Sequence, residues 1–157
     1  GRTKSMYYVS IVAKTYKKAV DAFMKGESLD AKDLLFELSQ VGNRGFTTGY
    51  LVDNPDESHY DYTTSKGVAG ATFLGVITEK INNNTYKIIA KNQIKKGDIV
   101  DWVTPNQEIS CKISSIVNCY NQEVEVANTN DIIYINLNEN LNNWKWGLIR
   151  RKEEYNV

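Results

Sequence analysis

The chain has 157 residues and carries 19 basic against 19 acidic side chains, so it lacks the global positive charge of a typical nucleic-acid binder. Its 41% hydrophobic and 24% charged residues are those of an ordinary globular protein, and no apolar run approaches the ~20 residues that span a bilayer. Two cysteines, Cys111 and Cys119, are too few for a disulfide scaffold or a four-thiolate cluster, and no signal-peptide pattern opens the chain, so the expected compartment is the cytoplasm.

Ser5 to Lys25 is predicted as a helix. Val9, Val12, Tyr16, Ala19, Val20 and Phe23 recur near the 3.6-residue period and are expected to face a core. Ser5 is placed to cap its first turn and Gly26 to end it. Lys14, Lys17, Lys18 and Lys25 lie off that stripe, giving residues 1–26 a local positive excess that is either a solvated face or a contact for an anionic partner. A second helix is expected over Asp30 to Val41, capped by Asp30, apolar through Leu34, Leu35, Leu38 and Val41, and stopped by Gly42.

Beyond Gly42 the period changes from 3.6 to 2. Phe46 to Val52 reads as a first strand, 53–70 as a long polar loop containing the only histidine, His59, and Ala71 to Ile81 as a central strand apolar on both faces. Asn82 to Asn84 tolerate left-handed backbone and should turn the chain into Thr85 to Lys91. Lys95-Lys96-Gly97-Asp98 then breaks it before Ile99 to Val103, a strand–turn–strand unit around which the second half is organised. Ile109, Cys111, Ile113 and Val117 are expected to point inward, as are Val124 and Val126, and Ile133, Ile135 and Leu137; a last strand covers Trp146 to Arg151. Two helices followed by seven or eight short strands make an α+β order with a small antiparallel β-barrel. The division expected is 1–45 as a helical region and 46–157 as the barrel domain with its loop at 53–70.

Nothing in this pattern is a reaction centre. His59 sits in an acidic loop, Cys111 on an inward strand face, and Cys119 near a turn with no histidine beside it in sequence. Asp98 and Asp101, three apart on a strand, face opposite sides and cannot pair as a carboxylate dyad. Ligands at zinc-motif spacing are absent. Binding is the remaining role. Trp102, Trp144 and Trp146 near turns could stack on bases, and Lys145, Arg150, Arg151 and Lys152 form a basic terminal run, although the same residues could seal the barrel ends.

Gly1, Arg2, Lys4, Ser5, Tyr7, Tyr8 and Val9 match the GRMKSAYYVA-like segment of peptidase family U32, with departures at Thr3 and Met6. Arg44, Phe46, Thr47, Thr48, Gly49 and Tyr50 match that family's next landmark, with Gly45 in place of its usual proline. Gly75-Val76, Lys96-Gly97-Asp98 and Leu148-Ile149-Arg150-Arg151 resemble strand, turn and closing motifs of the family's C-terminal barrel. The resemblance covers essentially the whole chain and implies a longer parent whose catalytic N-terminal barrel lies outside this sequence, in keeping with an opening at Gly1 rather than methionine. It further implies a C-terminal barrel similar to those of translation elongation factors. That barrel would be a non-catalytic accessory module positioning a substrate such as tRNA, or alternatively a protein- or peptide-docking module. Partners would be the parent's N-terminal domain and tRNA or a protein substrate, with no membrane. No cofactor is expected here, and any iron–sulfur cluster would belong to the parent's other domain. Arg2, Lys4, Ser5, Arg44, Thr47, Thr48 and Gly49 would be family-motif or interdomain residues; Lys14, Lys17, Lys18, Arg150 and Arg151 would contact an anionic substrate.

Overall fold

A computed structural model describes residues 4–43, 46 and 69–152. The chain divides into two compact units, residues 1–70 and 71–157. All of the strand expected over Phe46 to Val52 except Phe46, most of the 53–70 loop, His59, and Arg2, Arg44, Thr47, Thr48 and Gly49 lie outside the described residues.

In the first unit α1 (Met6–Lys25) is capped as the sequence suggests, with Ser5 Oγ accepting from Tyr8 N at 3.2 Å. It closes in a Schellman arrangement, with Gly26 N donating to Phe23 O and Glu27 N to Ala22 O. α2 (Ala31–Ser39) begins at Asp30, whose carboxylate accepts from Lys32 N at 2.8 Å. It stops at Ser39, before the predicted Gly42, with Gln40 as its cap. The two helices pack together, and Tyr7 Oη donates to Gln40 O at 3.2 Å.

The buried side of α1 is not the predicted one. Tyr7, Ile11, Thr15 and Ala22 are buried, whereas Tyr16 is 63% and Phe23 83% exposed, with Val9 and Val20 also open. In α2 no residue is buried and Leu35 is exposed. Apolar periodicity locates the faces that favour burial; it cannot say whether the covering surface belongs to the same unit.

The second unit is an antiparallel sheet curled into a half-barrel. Its strands are β1 (Ala71–Lys80), β2 (Thr85–Ala90), β3 (Ile94–Lys95), β4 (Ile99–Val103), β5 (Glu108–Lys112), β6 (Ile116–Asn118), β7 (Glu123–Val124), β8 (Val126–Ala127), β9 (Ile132–Asn136) and β10 (Leu148–Lys152). Eight run in the order β5-β4-β10-β1-β2-β9-β6-β7, and β3 and β8 form a separate ribbon.

The order corrects the expected strand–turn–strand unit. β2 and β4 do not pair; β10, from the end of the chain, lies between β4 and β1. Gly97 does take a left-handed φ of 92° in the turn that Asp98 N closes on Lys95 O, but this turn joins β3 to β4. At Asn82 to Asn84 the chain turns without left-handed residues: Asn82 Oδ1 accepts from Asn84 N and Thr85 N.

One core fills the curl, built on Leu74, Ile77, Tyr86, Ile88, Trp102, Ile133, Ile135 and Ile149. The rings of Tyr86 and Trp102 meet at 5.7 Å, tilted by 57°. Gly75 sits at a register break between β1 and β10, where an added Cβ would fall 2.9 Å from Ile88 Cγ2 and 3.0 Å from Ile89 O. The predicted alternation fails in two places. Ile116 is buried and Val117 only partly, because residues 113–115 leave the strand and reset its phase; similarly Ala127 turns inward and Val126 outward after the break at Glu125.

Candidate functional site

The candidate cations divide into two groups with different surroundings. On α1, Lys14, Lys17 and Lys18 stand at i, i+3 and i+4 and therefore share one flank, with Lys25 further along the same side. Lys17 Nζ lies 2.6 Å from Asp21 Oδ2, an exposed pair one turn apart. Lys18 is exposed and Lys14 half-buried. Lys4 places its ammonium 4.8 Å from the centre of the Tyr8 ring, and Ser5 is the helix cap, so both act locally on the start of α1. Positive charge at this end opposes the helix dipole, and no acid occupies the first turn.

The second group is the terminal run, whose strand position changes its character. Arg150 has no exposed surface, and β10, which carries it, lies between β4 and β1 rather than at an edge. Its Nε lies 3.2 Å from Asp101 Oδ2 and its Nη2 2.8 Å from Glu108 Oε1. Lys152, two residues on and so on the same face, reaches Asp101 at 3.0 Å and Glu108 at 3.1 Å. The Ser110 hydroxyl also donates to Asp101. Arg151 points to the other face and meets Asp98 Oδ2 at 3.0 Å. Asp98 and Asp101 thus do face opposite sides, each with its own arginine.

Burial pushes the Asp101 carboxyl upward, but Ser110, Lys152 and Arg150 outweigh it and hold the group below its usual value. Glu108 is likewise raised by burial and then brought below its ordinary range by Arg150 and Lys152. For Lys152 burial acts downward, and the hydrogen bonds and charges of Asp101 and Glu108 leave it raised. This cluster joins β4, β5 and β10. A phosphate could reach Arg150 only after these pairs were broken, so its geometry is that of a structural tie. Sequence reasoning missed Asp101, Glu108 and Ser110 as its partners; only the register Arg150↔Asp101↔Ser110 across three strands reveals them.

The aromatic candidates also separate. Trp102 is buried and so closed to stacking, and Trp144 is partly buried against the core. Trp146 is 80% exposed and holds a φ of 67° in the turn that Gly147 N closes on Trp144 O. Lys145 beside it is exposed as well. Burial pushes the Cys111 thiol up, which disfavours the thiolate, whereas Cys119 is exposed. Among the described residues no group of three His, Cys, Asp or Glu side chains could hold a metal ion. A four-cysteine cluster does not fit the two thiols of this chain. No described helix is long and apolar enough to cross a membrane.

Comparison with known proteins gives this geometry its context. Residues 1–61 match peptidase family U32, and residues 70–150 match the peptidase family U32 C-terminal domain. The chain is 30% identical over 145 residues to tRNA hydroxylation protein P of Haemophilus influenzae, covering 90% of this chain and 31% of that protein. It is 28% identical over 128 residues to tRNA hydroxylation protein P of Escherichia coli, covering 81% and 28%. The chain therefore spans about a third of the length of these relatives. The crystallised C-terminal domain of a Geobacillus thermoleovorans U32-family protein overlays 51% of this chain and 99% of its own, at 17% identity and a TM-score of 0.45. With one family match on the helical unit and a second across the β unit, the chain belongs to peptidase family U32, and its residues 70–150 are that family's C-terminal domain.

Proposed function

We propose that this chain is a non-catalytic accessory region of a U32 protein of the tRNA-hydroxylation kind, positioning tRNA for a catalytic domain elsewhere in the longer polypeptide. The observation that carries this reading is the match over 90% of the chain to a relative named for tRNA hydroxylation. Two features support it. The charged groups of the β unit nearest to a reactive constellation, Asp101, Glu108, Arg150 and Lys152, are engaged with one another. The lysine flank of α1 gathers Lys14, Lys17, Lys18 and Lys25 on one side of the helix, and such clustered cations are what phosphate contacts draw on, although Lys17 shares its charge with Asp21. Arg151 is half-exposed and shares its charge with Asp98, so its phosphate contact would be weaker than that of Lys18.

A second reading, docking of a protein or peptide, is favoured by the neutralised cations of the β unit. A titration of labelled tRNA with the chain, followed by competition with an unlabelled peptide library, separates the two. The tRNA reading expects saturable binding that peptide does not displace. Absence of tRNA binding together with capture of peptide would replace it.

A further inference from the structure

The outward side of α1 has a regularity that its lysines do not explain. Met6, Val9, Ala13, Tyr16, Val20 and Phe23 follow one another at spacings of three, four, three, four and three. That is the heptad spacing of a helix seam, which stays on one face of the helix throughout its length. All six positions are exposed, and they lie opposite the buried Tyr7, Ile11, Thr15 and Ala22. A 20-residue helix thus carries two apolar stripes, only one of which is covered. Scattered exposed apolar residues are ordinary, but a continuous seam the length of a helix marks an interface.

We infer that this seam docks the helical unit onto the remainder of a U32 domain in the longer polypeptide. The occupant follows from two facts already given. The helices match peptidase family U32 while the half-barrel matches its C-terminal domain, so the two units belong to different modules of the family. The match also takes in only 31% of the Haemophilus influenzae relative, so most of that protein lies outside it. The helices are then a piece of the first module, and the uncovered stripe is where the rest of that module packs. The covering surface must be apolar along the seam. This inference does not depend on what the protein's substrate is.

Hydrogen exchange tests it. Amides of α1 are compared in the 157-residue chain and in a full-length polypeptide in which this sequence follows a U32 domain. The inference expects α1 to be at least about tenfold better protected in the full-length protein. Val20→Asp combined with Phe23→Asp should remove that added protection while β1, β2 and β10 exchange as before. Phe23→Leu, which keeps the seam apolar, should retain it and so control for misfolding. Equal α1 exchange in both polypeptides would overturn the inference. So would a dimer of the isolated chain that the two aspartates dissociate, since the seam would then belong to a second copy.

Discussion

Arg150 lies opposite Asp101 across β10 and β4, its guanidinium Nε 3.2 Å from the carboxylate and fully shielded from water. A charge in that position is tolerable only while its partners are present. Arg150→Ala would take from Asp101 and Glu108 the buried cation that they share, leaving them the half-exposed Lys152 as counter-charge, and should cost about 3–5 kcal/mol in urea unfolding, the range for removing one partner of a buried pair. Arg151→Ala, at the half-exposed pair with Asp98, should cost no more than about 1 kcal/mol.

The same cluster sets a pH dependence. Asp101 and Glu108 have folded values below their unfolded ones, so their contribution is complete above the unfolded carboxylate range near pH ~4 and is lost as pH falls through the lowered values. Lys152 is raised, so its contribution holds below about pH 10 and disappears as pH climbs through the raised value. Melting temperature should therefore be flat across neutrality and fall on both flanks. Asp101→Asn should shallow the acid flank, and an unchanged acid flank in that variant would remove Asp101 from the account.

How much of this was readable from residues alone differs between the units. Ser5, Gly26 and Asp30 announced the helix ends correctly because caps are local: a side chain or a left-handed residue acts on backbone within one turn. Thr85 to Ala90 and Ile132 to Asn136 kept their predicted phase for the same reason, since alternation needs no knowledge of neighbours. The place of β10 could not be read. Its insertion between β1 and β4 pairs residues 72 to 81 apart in the chain on one side and 45 to 49 apart on the other, and it turned a terminal run of basic residues into a buried tie. The α1 stripe failed differently, because the period was real but Val9, Tyr16, Val20 and Phe23 are left uncovered by the described residues.

Gly75 offers a test of the half-barrel itself. A methyl group there would press on Ile88 and on the Ile89 carbonyl, so Gly75→Ala should destabilise by about 1–3 kcal/mol. Gly97→Ala meets no close neighbour but must hold a φ of 92°, a strain of about 1–2 kcal/mol. Chemical denaturation of both variants checks these values; an unperturbed Gly75→Ala would contradict the bulge as drawn.

The two thiols should differ in reactivity. Cys119 is exposed, whereas burial raises Cys111. Native protein treated with a thiol-specific chromogenic disulfide should show one fast equivalent, abolished by Cys119→Ser and unaffected by Cys111→Ser. Fast reaction that survives in Cys119→Ser would place Cys111 at the surface.

The proposal that this region holds tRNA through the lysine flank of α1 is tested most directly by the salt dependence of tRNA affinity. Each phosphate contact contributes roughly −0.7 to −0.9 to the slope of log affinity against log salt. The combined variant Lys14→Glu, Lys17→Glu and Lys18→Glu should bind more weakly, with a slope shallower by about 2 than that of the unsubstituted chain. An unchanged slope and affinity in that variant would contradict the account, because the phosphates would then be held by something other than α1.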